Sequence, residues 1–246
     1  MGWFDSIMNE FEKTFIRDDR YKVFVTGFKN TIFITFISLI VGLIGGILIA
    51  IVRYGYSQMK KRKPVTVPAK LLYVLMNIID KILALYVAVM RGVPLVVQLL
   101  IMAFVVMAGF PNKIVVCCIA MGLNSAAYVS EVVRGGINSV DAGQMEAGRS
   151  LGLNAATTIL YVILPQAFKA ALPALCNEGI AVLKETSIVG YIAVVDLTRA
   201  SDLVRSRTMS PMMPLFFIAL VYFICVMILS WGVGILERRL KQGDRG

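Results

Sequence analysis

Runs of apolar residues long enough to cross a bilayer alternate along this chain with short charged segments. A helix rises about 1.5 Å per residue and the hydrocarbon core is about 30 Å thick, so a crossing takes about 20 apolar residues. Residues 31–52 meet that length without a single charge. Residues 82–110 form a longer run interrupted only by Arg91, and residues 114–133 a third, with Glu131 near its end. A fourth, 170–195, contains Glu178, Lys184 and Glu185, and 214–236 is the fifth. The pattern predicts an all-α membrane protein with five transmembrane helices and its two ends on opposite sides of the membrane.

Basic residues near the span ends set the orientation. The segment 53–70 carries Arg53, Lys60, Lys61, Arg62, Lys63 and Lys70 without an acid, and the stretch after Leu236 adds Arg238, Arg239, Lys241 and Arg245. Both are expected on the cytoplasmic side. That makes residues 1–29 an N-terminal extracytoplasmic segment, 30–240 the membrane domain and 241–246 a cytoplasmic tail. The loop 137–168, between spans three and four, then also faces the cytoplasm. Arg199, Arg205 and Arg207 fall in an outer segment, among acidic neighbours. Residues 65–81, mixed polar and apolar, fit either an amphipathic elbow on the inner surface or an ordinary loop. A cleavable signal peptide is not expected, because Asp5, Glu10, Glu12, Asp18 and Asp19 interrupt the first twenty residues.

Composition agrees with the bilayer. The chain is 58% hydrophobic and 16% charged, where soluble domains are about 25% charged. The formal net charge of +10 sits mainly in short segments between apolar runs, which suits membrane loops and not a nucleic-acid surface. There is no histidine, which removes the commonest general base and most metal sites. Cys117, Cys118, Cys176 and Cys225 sit in apolar runs without CxxC spacing and are expected as small packing residues. Gly42, Gly45 and Gly46 in the first span suit close helix packing.

The loop between spans three and four has an ordered grammar. Asp141, with Gln144 three residues later, starts a helix as a capping box does, and Gly152 suits a helix end in the left-handed region. Asn154 can cap a second helix, which Pro165 is expected to stop after Leu164. Two short helices with a break between them make a knob fit for docking another protein.

Within that knob, Glu146-Ala147-Gly148, then Gly152, Val162 and Leu164-Pro165 resemble the cytoplasmic signature of permease subunits from bacterial ATP-binding-cassette (ABC) importers. That signature is Glu-Ala-Ala, three residues, Gly, nine residues, an aliphatic position, any residue, then Leu-Pro. Gly148 is the departure, standing where the signature has a second alanine. The stretch from Met90 through Arg91, Gly92, Val93 and Pro94 to Leu99 resembles the Phe-Arg-Gly-Thr-Pro-Leu-Leu-Val-Gln-Leu segment of polar amino acid permeases, with Met90 and Val93 departing from it. Asn177 and Lys184-Glu185-Thr186-Ser187 are similar to that subfamily's Asn and Lys-Asp-Thr-Ser.

The resemblance implies the fold of a type I ABC importer permease, with a cytoplasmic coupling helix between spans three and four. It further implies a pore of two permease subunits (a homodimer or a pair with a related chain), two ABC ATPase subunits beneath and an extracytoplasmic amino acid-binding protein, all at the bacterial inner membrane. On this reading Glu146, Ala147, Gly148, Ser150, Leu151 and Gly152 couple to the ATPase. The chain carries no Gly-x-x-x-x-Gly-Lys-Ser/Thr loop, so ATP and Mg²⁺ belong to the partner and this subunit is not itself an enzyme.

Charges inside spans need a purpose, since each costs about 2.5–3.5 kcal/mol at the centre of a lipid-exposed helix. Arg91 can hold an amino acid's carboxylate through a two-pronged contact, and Glu185 its ammonium. Glu178, with Asn177 beside it, lies seven residues before Glu185, about 10 Å along one helix face. It can read the substrate's side chain. If Arg91, Glu178 and Glu185 share a cavity, its net negative charge suits a cationic amino acid. The plainer alternative makes Arg91 and Glu185 a structural pair and turns Glu178 toward a neighbouring subunit or a vestibule. Glu131 and Arg134, one turn apart, are expected as a local interfacial pair. An ion-coupled carrier or a channel would also explain intramembrane charges, but it would not explain the knob.

Overall fold

The computed structural model of the chain describes residues 3–62 and 66–242. Lys63 of the basic stretch and residues 243–246 of the expected tail lie outside them. The described residues form helices and turns without a strand. In order these helices are α1 (Trp3–Phe11), α2 (Tyr21–Arg62), α3 (Val67–Gly92), α4 (Leu95–Ile101), α5 (Lys113–Asn138), α6 (Gly143–Ser150), α7 (Ala155–Thr158), α8 (Leu164–Glu185), α9 (Leu197–Thr208) and α10 (Met212–Gln242). Among the described residues five stretches are long and apolar enough to cross a membrane: Tyr21–Lys60, Val67–Gly92, Lys113–Asn138, Ala155–Ile192 and Met212–Leu240. The expected number of spans therefore holds.

The helix boundaries differ from the sequence pattern in two instructive places. First, the apolar run 82–110 is not one helix. Helix α3 ends at Gly92, Val93 is extended at φ −101° and ψ 135°, and α4 starts after Pro94. Proline lacks an N–H and pushes its predecessor out of the helical region, so the helix breaks at Val93, the residue before Pro94. In the other direction α3 runs back without interruption to Val67, so residues 67–81 are no separate surface element. Pro68 stands in its first turn, where no N–H is needed.

Second, Pro165 does not stop a helix. A wider, π-helical turn at Ile159–Ile163 is closed by the Leu164 N–H on the Ile159 carbonyl, and Pro165 then occupies the first turn of α8. There its missing donor breaks no bond. The fourth apolar run thus continues to Glu185, followed by a tighter 3₁₀ stretch, Thr186–Ile192, and a left-handed Ala193 at φ 64°.

The chain forms two compact units. One comprises Met1–Leu39, Leu95–Met121 and Gly179–Gly232; the other comprises Ile40–Pro94, Gly122–Glu178 and Val233–Gly246. In the first, Ile34, Leu99, Val116, Met121, Val182 and Val189 form a core. A second cluster gathers Phe24, Leu197, Val204 and Ile218, with the Phe15 and Phe217 rings edge-on at 4.8 Å. Asp196 is fully buried and caps α9, its carboxylate accepting the Thr198 and Arg199 N–H groups at 2.9 Å each. Burial pushes that carboxyl above its ordinary range, and the two N–H bonds oppose the shift.

In the second unit, Val129, Ala171 and Leu175 pack with Leu43, Ile47 and Val132. The glycines of α2 set this contact. A Cβ on Gly46 would lie 2.5 Å from Val129 Cβ, one on Gly42 2.6 Å from Ser125 Oγ, and one on Gly45 3.1 Å from Ala126 Cβ. Small residues four apart let α2 and α5 close to that distance, as their pattern implied.

Candidate functional site

Two regions of the second unit carry several of the residues singled out by sequence: the knob around α6 and a charged cluster between α2, α3 and α5.

The knob is built from local hydrogen bonds. Asp141 Oδ1 accepts the Gly143 N–H at 2.7 Å, opening α6. The capping box is only half present. The Gln144 side chain does not turn back but accepts from Gln166 Nε2 at 3.3 Å, and the residue at the cap itself is Ala142. At the other end Gly152 adopts φ 84°, the Leu153 N–H reaches the Gly148 carbonyl at 3.1 Å, and the Gly152 N–H reaches Arg149 at 3.0 Å. This pair of bonds is the Schellman arrangement, which satisfies the last carbonyls of a helix and needs a residue at ease in the left-handed region. Asn154 Oδ1 then accepts the Thr157 N–H at 2.9 Å and starts α7.

Gly148 explains the departure from the family signature. It is buried against α7, and a Cβ there would lie 2.5 Å from Thr158 Cγ2 and 2.8 Å from its Oγ1. The Thr158 rotamer is held by its hydroxyl bond to the Asn154 carbonyl at 3.0 Å. Glu146, Ala147, Arg149, Ser150, Leu151 and Gly152 are all exposed. Leu151 is 82% exposed at the tip, although leucine is ordinarily a buried residue. The knob is a stiff, mostly polar projection with one apolar residue at its end.

The charged cluster centres on Glu131, whose side chain is 19% exposed. It meets Arg134 at 2.6 Å, Arg53 at 3.3 Å and Arg91 at 3.7 Å, while Arg53 also reaches Asp80 at 3.2 Å. The expected Glu131–Arg134 pair is present, but as part of a network of five charges drawn from three helices. Arg53 and Asp80 were not among the residues picked from sequence. Their only local signal was that segment 53–70 has no acid of its own. Arg91 is the least tightly held member, 45% exposed, with its guanidinium 5.4 Å from the Tyr128 ring centre. The end of α3 beside it is fixed by Asn124 Nδ2 donating to the Met90 carbonyl at 2.9 Å and by Tyr86 donating to Leu123.

Elsewhere in this unit Glu178, half-buried, accepts the Ser125 hydroxyl at 2.8 Å, and Asn177 is exposed. Glu185 is the last residue of α8 and belongs to the other unit. Among the described residues no group of Asp, Glu or Cys converges as a metal set would.

Comparison with known proteins follows the same lines. The family model for the binding-protein-dependent transport system inner membrane component matches residues 67–242. The arginine transport system permease protein ArtQ of Bacillus subtilis (strain 168) is 40% identical over 162 residues, 65% of this chain and 74% of that one. The probable glutamine ABC transporter permease protein GlnM of the same organism is 32% identical over 230 residues, 91% and 96% of the two chains. The crystal structure of an amino acid ABC transporter with histidines superposes with a TM-score of 0.74 at 35% identity, covering 89% of this chain and 94% of that one. The inward-facing MetNI methionine ABC transporter, at 16% identity and a TM-score of 0.71, shares the fold.

Proposed function

This chain belongs to the family of inner-membrane components of binding-protein-dependent transport systems, and on that premise we propose that it forms the translocation path of an ATP-driven amino acid importer and couples it, through α6, to a separate ATPase. It is a multi-pass, non-catalytic permease subunit. Its partners are two ABC ATPase subunits, which hold the ATP and Mg²⁺, a second permease subunit and an extracytoplasmic binding protein. Residues 1–29 lie outside and the tail lies in the cytosol, with the basic end of α2 facing the same side as the knob.

The observation that carries the coupling role is the exposed apolar tip of a helix locked at both ends. Gly152 and Asn154 fix the direction of α6, and Gly148 seats it on Thr158. A displacement at Leu151 is therefore passed to α7 and α8 instead of being absorbed by a loose loop.

For the substrate, a polar or cationic amino acid fits best. Relatives are named for arginine and glutamine, and a structural neighbour was crystallised with histidines. Arg91 has more donors than one carboxylate 3.7 Å away uses, which suits a carboxylate of the cargo. Glu178, with Asn177 beside it, supplies an acidic and a polar group for the ammonium or the side chain.

The test is reconstitution with the ATPase and binding protein. Glu146→Lys and Leu151→Asp should insert normally yet lose ATPase co-purification and ATP-driven uptake. Uptake by the permease alone, or unaltered coupling in both variants, would refute the coupling role. A preference for acidic or purely aliphatic amino acids would refute the substrate reading alone.

A further inference from the structure

Beside the Glu131 network, between α2, α3 and α5, lies a cavity of about 340 Å³. Arg53, Lys60, Arg134 and Asp80 line it, with Tyr54 and Ser57 on the α2 side. Three cations against one acid leave its wall with an excess of two positive charges. Glu131, which holds Arg53 and Arg134 from behind, is offset by Arg91. Lys60 is exposed at the rim, and the sequence continues with Lys61, Arg62 and Lys63. A wall of guanidinium and ammonium groups with tyrosine and serine hydroxyls is suited to a phosphate.

Tyr54 connects this cavity to an apolar surface. On α2, Ile44, Leu48 and Ile51 are 59%, 58% and 54% exposed. Each is one turn from the next, and Ile51 is one turn from Tyr54, so they form a continuous stripe ending at the cavity wall. From Ile44 to Tyr54 the helix rises about 15 Å, the hydrocarbon depth of one leaflet. A tyrosine at the end of such a stripe is placed as an interfacial anchor.

We infer that this cavity seats the phosphate of an anionic phospholipid, whose acyl chain lies along Ile44, Leu48 and Ile51. Basic pockets between membrane helices on the cytoplasmic side take anionic headgroups in this way. A free phosphate ester offers the same headgroup chemistry but has nothing to place on the stripe.

Native mass spectrometry of the full chain in detergent, titrated with phosphatidylglycerol, phosphatidylcholine or glycerol 3-phosphate, separates the sources. Wild type should retain phosphatidylglycerol in preference to phosphatidylcholine, and glycerol 3-phosphate should not displace it. Lys60→Gln should weaken phosphatidylglycerol retention about fivefold, the effect of one cation near the headgroup plane, with phosphatidylcholine unchanged. Lys60→Arg should restore it. Ser57→Glu, which brings a carboxylate into the cavity from an exposed position, should abolish the preference. Equal retention of both lipids by wild type, or an unaltered preference in both Lys60→Gln and Ser57→Glu, overturns the site. Full displacement by glycerol 3-phosphate overturns the lipid assignment in favour of a soluble anion.

Discussion

Restoring the family's own residue at position 148 should damage this protein. Alanine is favoured over glycine in a helix interior by about 1 kcal/mol, so by propensity alone Gly148→Ala would firm up α6. The structure reverses the sign. The new Cβ would sit 2.5 Å from Thr158 Cγ2 and 2.8 Å from Oγ1, far inside contact distance. Thr158 cannot simply rotate away, because its hydroxyl is bonded to the Asn154 carbonyl at 3.0 Å and α7 is a single turn pinned by Asn154. Overpacking of a tight contact costs about 1–3 kcal/mol. Set against the propensity gain, the net loss is about 1 kcal/mol, borne by the docking of α6 on α7. Hydrogen exchange at the Leu153 amide, which donates to the Gly148 carbonyl, reads that docking directly. It should speed up about fivefold in Gly148→Ala. Thr158→Ala removes both clashing atoms, so the double variant should exchange at least as slowly as Thr158→Ala alone, and ATP-driven uptake should recover with it. Unchanged or slower exchange in the single variant would refute the claim that Gly148 is required by Thr158.

Three further outcomes test the remaining contacts. Glu131→Gln should lower unfolding stability in detergent by about 2 kcal/mol, between the values for exposed and buried pairs, because three arginines share that carboxylate; a loss below about 0.5 kcal/mol would mean that water already satisfies them. Gly46→Leu should cost about 3 kcal/mol by forcing α2 off Val129, whereas Gly55→Ala, with nothing within 4 Å of its added Cβ, should be neutral or stabilising by up to about 1 kcal/mol; equal effects of the two on thermal unfolding would remove the packing argument. For Asp196, a folded-state carboxyl raised by burial contributes most below its unfolded value and loses that contribution as pH rises through the folded one. Asp196→Asn removes the titration but keeps only one acceptor oxygen where the Thr198 and Arg199 N–H groups use two, so its thermal stability should vary less with pH than wild type. A wild type that gains on Asp196→Asn as pH rises would contradict the sign.

Which features could be read from the sequence depends on how far along the chain their causes reach. Span number follows from run length, and the break at Val93-Pro94 follows from a single ring. The ends of the knob follow from Gly152 and Asn154, whose partners lie within one turn. Pro165 obeys the same steric rule as Pro94, yet the helix passes it, because a π-helical turn upstream places it where its missing donor is harmless. That turn is a matter of register, which composition does not encode. The Glu131 network is further out of reach. Desolvation requires that an intramembrane charge have a partner, but it does not name one, and Arg53 meets Glu131 across 78 residues of sequence. The same limit governs the cargo. Arg91 is a charge inside a predicted span whose guanidinium can hold a substrate carboxylate, and the fold gives it a carboxylate of its own at 3.7 Å, with its side chain 45% exposed. A tight, buried pair would have made Arg91 structural. A long, open contact beside a broken helix leaves a carboxylate from outside able to compete with Glu131 for it. On the proposed substrate reading transport and structure draw on the same arginine, and Glu131→Gln should lower stability while tightening substrate binding. Weakened binding in that variant would mean that Glu131 positions Arg91 instead of competing for it.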